Sequence, residues 1–321
     1  MDDTEHQLMS LRDADPAASS TVDIDRAIRT GRRAATTRKT IGIAVAACLT
    51  LAIAIGIPAA LRGSHHNTPA RPTPQTFNVL QRVFTVGTAG GYTPAIYQTG
   101  RAFQRAYLKA TGSGLPSRAE VTIYARGQLP TASWTPGAKT GPKVNGKPTY
   151  WQPSTGAHEL AWQWQPGSWA FARIDGTGTG LDARVQHIAE SVRSGQPIAV
   201  RFPFTATKPA IDAQLVGTLS SQDGKQVSML LASKDPANPV VVGVTKTVTL
   251  DPYTGLARTG TPYGQQTVPL SDGWTADAEA PTAGALTALG GDKQTLTGLA
   301  QSIRLVDNPG KQSSWVSNPF R

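Results

Sequence analysis

Two short segments, His187-Ile-Ala-Glu-Ser-Val-Arg193 and Gly298-Leu-Ala-Gln-Ser-Ile-Arg304, share one frame: apolar, Ala, polar, Ser, apolar, Arg. Around the first, Leu181, Val185, Ile188, Ala189 and Val192 recur at the spacing of one helical face. Around the second, Leu296, Leu299, Ala300 and Ile303 do the same, with Asp292 placed to cap the N-terminus. Each helix closes a longer pattern. Both patterns open on a Phe-Thr strand followed by Pro-Ala-Ile: Phe84-Thr85 with 94–96, then Phe204-Thr205 with 209–211. A weaker match sets Val121-Thr-Ile-Tyr against Val227-Ser-Met-Leu. These correspondences predict an internal repeat, with copies over 79–195 and 198–306.

Within the first copy, Ala102–Lys109 and Glu120–Arg126 alternate in hydropathy around a Gly/Pro/Ser stretch and predict a hairpin. A helix over 101–109, with Arg101, Arg105 and Lys109 on one face, is the competing assignment. Pro148–Gln152, Glu159–Gln165 and Trp169–Asp175 predict further strands, the last two joined at Pro166-Gly167-Ser168. The expected fold is α+β: an antiparallel meander closed by a helix on one face, made twice. The lobes are expected over 77–197 and 198–306, followed by an irregular tail, 307–321, in which Trp315 and Phe320 pin back onto the domain.

Upstream, Ile41–Leu61 (IGIAVAACLTLAIAIGIPAAL) holds 21 residues without a charge. As a helix it would be about 31 Å long, matching a hydrocarbon core of about 30 Å. Thr50 is its only hydroxyl, so it has no polar face of the kind that a helix in a soluble core shows. It predicts one transmembrane helix, with Cys48 an ordinary small residue within it. A cleaved signal peptide is the minority alternative, with Ala54 and Gly56 as its small-x-small pair. Arg26, Arg29, Arg32, Arg33, Arg38 and Lys39 precede the span and only Arg62 and Arg71 follow it within twenty residues. The positive-inside rule therefore places residues 1–40 in the cytoplasm and the C-terminal part outside the plasma membrane. Residues 62–76, rich in Pro and Thr, read as a linker.

The chemistry-bearing residue types are sparse. One Cys excludes a disulfide framework and a Cys-based zinc site. His65-His66 lacks a third ligand nearby, so no metal is expected. Gly176-Thr-Gly-Thr-Gly180 has G-x-G-x-G spacing where a dinucleotide loop needs G-x-G-x-x-G, so no cofactor is expected. Lys139-Thr140-Gly141 matches one element of penicillin-binding enzymes, but no Ser in the chain has Lys three positions later. His158 and His187 are the candidate bases for a triad assembled from distant segments; no catalytic residue is assigned, and a non-enzymatic protein is expected. Trp162 and Trp164 share a strand face with Leu160. That face is either core or an exposed aromatic platform, which makes Trp162 and Trp164 the candidate ligand contacts.

Charge adds a partner class. Residues 62–147 hold eleven basic residues against Glu120 alone, whereas 198–321 carry ten against nine acids. Outside the membrane such a surface suits anionic headgroups or an acidic wall polymer; nucleic acid is not expected. A merely solvated basic surface is the bland alternative.

The layout resembles a group of actinobacterial single-pass membrane proteins. The resemblance is carried by Val22-Asp-Ile-Asp-Arg-Ala-Ile-Arg-Thr-Gly-Arg-Arg33 before the span. It continues in the Leu160-Ala-Trp162 strand, the Ala-x-Ser helices and the segment from Arg304 to Trp315. The helix motif is also similar to the end of outer domains in bacterial anti-sigma and envelope-stress proteins. The resemblance implies a bilayer-anchored envelope protein whose duplicated extracytoplasmic domain binds or senses a ligand or partner. Its alternative implication is a signalling protein whose tail engages a cytoplasmic protein partner. It implies no catalytic residue.

Overall fold

The computed structural model describes residues 74–321, apart from 132, 138, 210–212, 233–237, 247–262 and 289–291. The apolar stretch 41–61, the tail before it and nearly all of the linker lie outside the described residues. Among the described residues, no helix is long and apolar enough to cross a membrane.

Alternating hydropathy produces strands wherever one face can be covered. In Phe103–Ala110 (β3), Gln104, Ala106 and Leu108 are buried on one face while Phe103, Arg105 and Tyr107 stand on the other. This settles the competition at 101–109 in favour of a strand. β3 pairs antiparallel with Arg118–Tyr124 (β4), the expected hairpin, and with Tyr92–Gly100 (β2). Lys139–Val144 (β5), Lys147–Trp151 (β6), Ala157–Gln165 (β7) and Ser168–Asp175 (β8) continue the sheet. β7 turns into β8 through Gly167, whose φ of 75° lies in the left-handed region that glycine adopts without a Cβ clash. Leu181–Glu190 (α1) follows the glycine-rich loop, and Val192–Ala199 (β9) pairs back with Gln81–Val86 (β1).

The chain then forms Phe204–Thr205 (β10), Gln214–Ser221 (β11), Gln226–Ala232 (β12), Val240–Lys246 (β13), Gly264–Pro269 (β14) and Trp274–Ala280 (β15). Two helices come next, Ala283–Ala288 (α2) and Lys293–Ser302 (α3), then Arg304–Leu305 (β16), which pairs with β10. Asp292 caps α3: its carboxylate accepts the Thr295 N–H at 3.0 Å, and the Thr295 hydroxyl accepts the Asp292 N–H at 3.0 Å.

Twelve strands form one antiparallel sheet in the order β14-β15-β13-β12-β11-β2-β3-β4-β8-β7-β6-β5. Few helices accompany it, so the α+β architecture is dominated by antiparallel sheet. A small buried cluster of Ile96, Leu219, Leu230 and Val241 lies on one face of it, and two larger cores lie on the other. In one, Leu181, Val185 and Ile188 of α1 pack over Val121, Ile123, Leu160 and Ile174; in the other, Leu296, Leu299 and Ala300 of α3 pack over Met229, Val242, Ala276 and Ala278. Directly paired residues share a sheet face. Tyr97 and Thr99, two positions apart on β2, share a face; Thr99 opposes Thr218, and Thr218 opposes Met229, so both larger cores occupy that face.

Equivalent contacts recur around the two repeated helix motifs. Thr85 opposes Arg193 in β1–β9, and Thr205 opposes Arg304 in β10–β16. Arg193 donates to the Glu190 and Val192 carbonyls; Arg304 donates to those of Gln301 and Ile303. Ser191 and Ser302 each donate to the carbonyl three residues before, Ile188 and Leu299. The match of Val121 to Val227 is corrected: Val121 sits on β4, whereas Val227 sits on β12, next in order to β11 as β3 is to β2. Residues 209–211 fall partly outside the described residues. β9 ends at Ala199, two positions beyond the expected boundary at 197. The C-terminal tail does fold back. Trp315 is buried in the second core with Phe320 packed against it, and backbone bridges join Val316 to Phe202 and Phe320 to Ala206.

Candidate functional site

The sheet face opposite α1 carries a cross-strand array of polar and aromatic side chains. Register alone builds its rows. Tyr107, Glu120, Arg173 and Glu159 oppose one another across β3, β4, β8 and β7. The next row toward the β7–β8 turn runs Gln98, Arg105, Thr122, Phe171, Ala161 and Tyr150. Beyond it stand Phe103 and Tyr124, directly paired, and Trp169 on β8.

Charge alternates along the polar part. Arg105 lies 3.5 Å from Glu120 and donates to the Thr122 hydroxyl at 2.9 Å. Arg173 lies 3.4 Å from Glu159 and donates to Asp175 at 2.5 Å, while Arg118 donates to the other Asp175 oxygen at 3.0 Å. Three arginines meet three carboxylates, so the ladder is neutral. Burial pushes the Glu159 carboxyl up, and Arg173 offsets this only in part. At Asp175 burial pushes the same way, but the hydrogen bonds from Arg173 and Arg118 outweigh it and hold the carboxyl below its ordinary range. Burial raises the Tyr107 phenol, which donates to Gln98 at 3.0 Å.

The aromatic part is continuous. Phe103 and Tyr124 have ring centroids 5.9 Å apart, and Tyr124 and Phe171 5.5 Å. Trp134, from the segment between β4 and β5, stands edge-on to Trp169 at 4.7 Å and to Phe171 at 5.2 Å; Tyr150 reaches Trp169 at 6.1 Å. Phe171 is buried beneath them, while Phe103, Tyr124, Trp134, Tyr150 and Trp169 keep part of their surface in solvent.

Trp162 and Trp164 are on the other face. They are 3% and 8% exposed and belong to the core beneath α1, so of the two alternatives the core one describes them and the exposed platform does not. Trp162 opposes the buried Thr149. Trp164 donates its indole N–H to the Tyr124 carbonyl at 3.2 Å and forms part of the wall of a cleft of about 310 Å³ at the β7–β8 turn. The signal that separates the faces was present in the alternation: Trp169 and Phe171 occupy the phase opposite to Ala170 and Ala172. Nothing in that alternation says which phase a helix covers.

His158 Nδ1 lies 2.6 Å from the Asp182 carboxylate, tying β7 to the first turn of α1. Among the described residues no hydroxyl is bonded to this imidazole, and His187 stands exposed on α1. Gly176, at φ 138°, and Gly180, at φ 74°, make the 176–180 segment a turn leading into α1. Among the described residues no group of His, Cys, Asp and Glu has the arrangement of a metal site. No protein-family model matches the chain, and no match to it was found among curated proteins.

Proposed function

We propose that the chain is a single-pass, membrane-anchored envelope protein whose extracytoplasmic domain binds a carbohydrate-containing wall polymer on the open sheet face. The observation that carries the reading is the juxtaposition, on the sheet face opposite α1, of a part-exposed aromatic row and a neutral ladder of arginines and carboxylates. Sugar rings offer both apolar C–H faces and hydroxyls. Aromatic rings fit the first, and fixed carboxylates, guanidinium groups and amides fit the second. Alternating charges also hold these side chains in place before a ligand arrives, which lowers the entropic cost of binding.

Anchoring is supported by the composition of 41–61 and by the charge step across it. Two similar lobes, derived by duplication, are supported by the shared strand order and by the matching Thr–Arg pairs and serine bonds around the repeated helices. The aromatic row belongs to the first lobe; on the same face the described strands of the second carry the buried Leu219, Leu230 and Val241 beside the paired Ser228, Gly243 and Asp277. The lobes therefore divide into a ligand-contacting one and a supporting one.

The test is sedimentation of the full chain, in detergent, with purified cell-wall polymer. Saturable binding that falls at least about tenfold in Tyr124→Ser/Trp169→Ser is expected, equivalent to about 1.4 kcal/mol. Binding unchanged in a folded double variant would overturn the assignment of the face.

A further inference from the structure

The cleft at the β7–β8 turn is distinct from the open face. Its wall is made by Gln75, Thr76 and Phe77, which precede β1, together with Arg126, Trp164 and Gln165. Residue 75 is fastened there: its N–H donates to the Arg126 carbonyl at 2.8 Å, and its own carbonyl accepts from Gln128. The Phe77 N–H donates to the Arg101 carbonyl at 2.8 Å, and the Phe77 ring lies 6.3 Å from that of Trp164. The two rings share the cleft wall with the exposed Arg126, which has no acidic partner among the described residues.

From this geometry we propose that the cleft takes the anionic headgroup of a membrane lipid, with Arg126 facing the phosphate and Phe77 and Trp164 meeting the adjoining glycerol and acyl carbons. An apolar floor beside an unpaired cation is the combination an anionic amphiphile requires, and aromatic side chains favour the headgroup level of a bilayer. The charge of the surrounding sequence agrees: 62–147 holds eleven basic residues against one acid, with Arg105 and Arg118 engaged in the ladder. The inference rests on the reading of 41–61 as a membrane span. Thirteen residues lie between Leu61 and Gln75, enough to reach at most about 50 Å, so the cleft is tethered within range of the surface from which the chain emerges.

Hydrogen exchange on the full chain in lipid nanodiscs tests the proposal, using phosphatidylcholine alone, phosphatidylcholine with phosphatidylglycerol, and phosphatidylcholine with added inorganic phosphate. Slower exchange over 75–77 and 125–128 in the phosphatidylglycerol discs is expected. Arg126→Ala, checked for folding by circular dichroism, should weaken this lipid dependence about fivefold, the effect of about 1 kcal/mol for one basic residue near a charged surface. Equal exchange in neutral and anionic discs, with the chain inserted in both, would overturn the proposal and leave the anchor reading intact. Equal protection by inorganic phosphate would overturn the assignment to lipid. A chain that does not enter the discs would overturn the anchor reading, and this inference with it.

Discussion

Thr99 on β2 and Thr218 on β11 oppose each other at the seam between the two cores, their hydroxyl oxygens 2.8 Å apart and both side chains buried. Thr99 donates its one hydroxyl proton to the Val79 carbonyl, so Thr218 donates to Thr99, which also accepts the Thr218 N–H at 3.0 Å. This pair joins seven strands on one side to five on the other. Thr218→Val keeps the shape and removes one donor, leaving Thr99 with fewer partners in a place water does not reach. A loss of about 1–3 kcal/mol is expected, read as a lowered unfolding midpoint of the full chain in detergent.

The seam is also tight in its backbone. A Cβ on Gly217 would fall 2.2 Å from the Thr99 carbonyl oxygen. Gly217→Ala should therefore destabilise by about 1–3 kcal/mol, as overpacked cores do. Gly146→Ala is the contrast. Its Cβ would meet nothing, so only the strain of φ 78° acts there, and the midpoint should fall less.

Trp162→Ala removes a core side chain. The expected cost is about 3–5 kcal/mol, measured by denaturant unfolding, with no separate effect on wall binding at conditions where the variant is folded. A change in binding without a change in stability would mean that the indole contacts ligand.

The sign of pH dependence follows from the ladder. Asp175 is held below its ordinary range, so the stability it contributes is present above that range and is lost as pH falls from there through its lowered folded value. Glu159 has the opposite sign: raised by burial, it is relieved as pH falls. Asp175→Asn should lower the midpoint at neutral pH, and its difference from the parent chain should shrink at acid pH. An undiminished difference at acid pH would contradict the hydrogen-bonded carboxylate at this position.

Much of this fold is legible in the chain itself. The strands at 103–110, 118–124, 157–165 and 168–175 follow from two-residue alternation, and Asp292 announces the start of α3. The Thr99–Thr218 seam is not legible, because long-range pairing leaves no mark in local periodicity and either strand could have stood at an edge. The site was only half legible for the same kind of reason. Trp162 and Trp164 have the phase of one face and Trp169 and Phe171 the phase of the other. Which face is covered is decided by α1, through Leu181, Val185 and Ile188, from outside the strand.

The most direct measurement compares Trp169→Ser with Trp162→Phe in a binding isotherm of the full chain on purified cell-wall polymer, at a temperature where both variants are folded. If the open face of the first lobe is the binding surface, Trp169→Ser weakens binding about tenfold or more and Trp162→Phe leaves it within about twofold. The reverse order, or equal affinity in both, would contradict it.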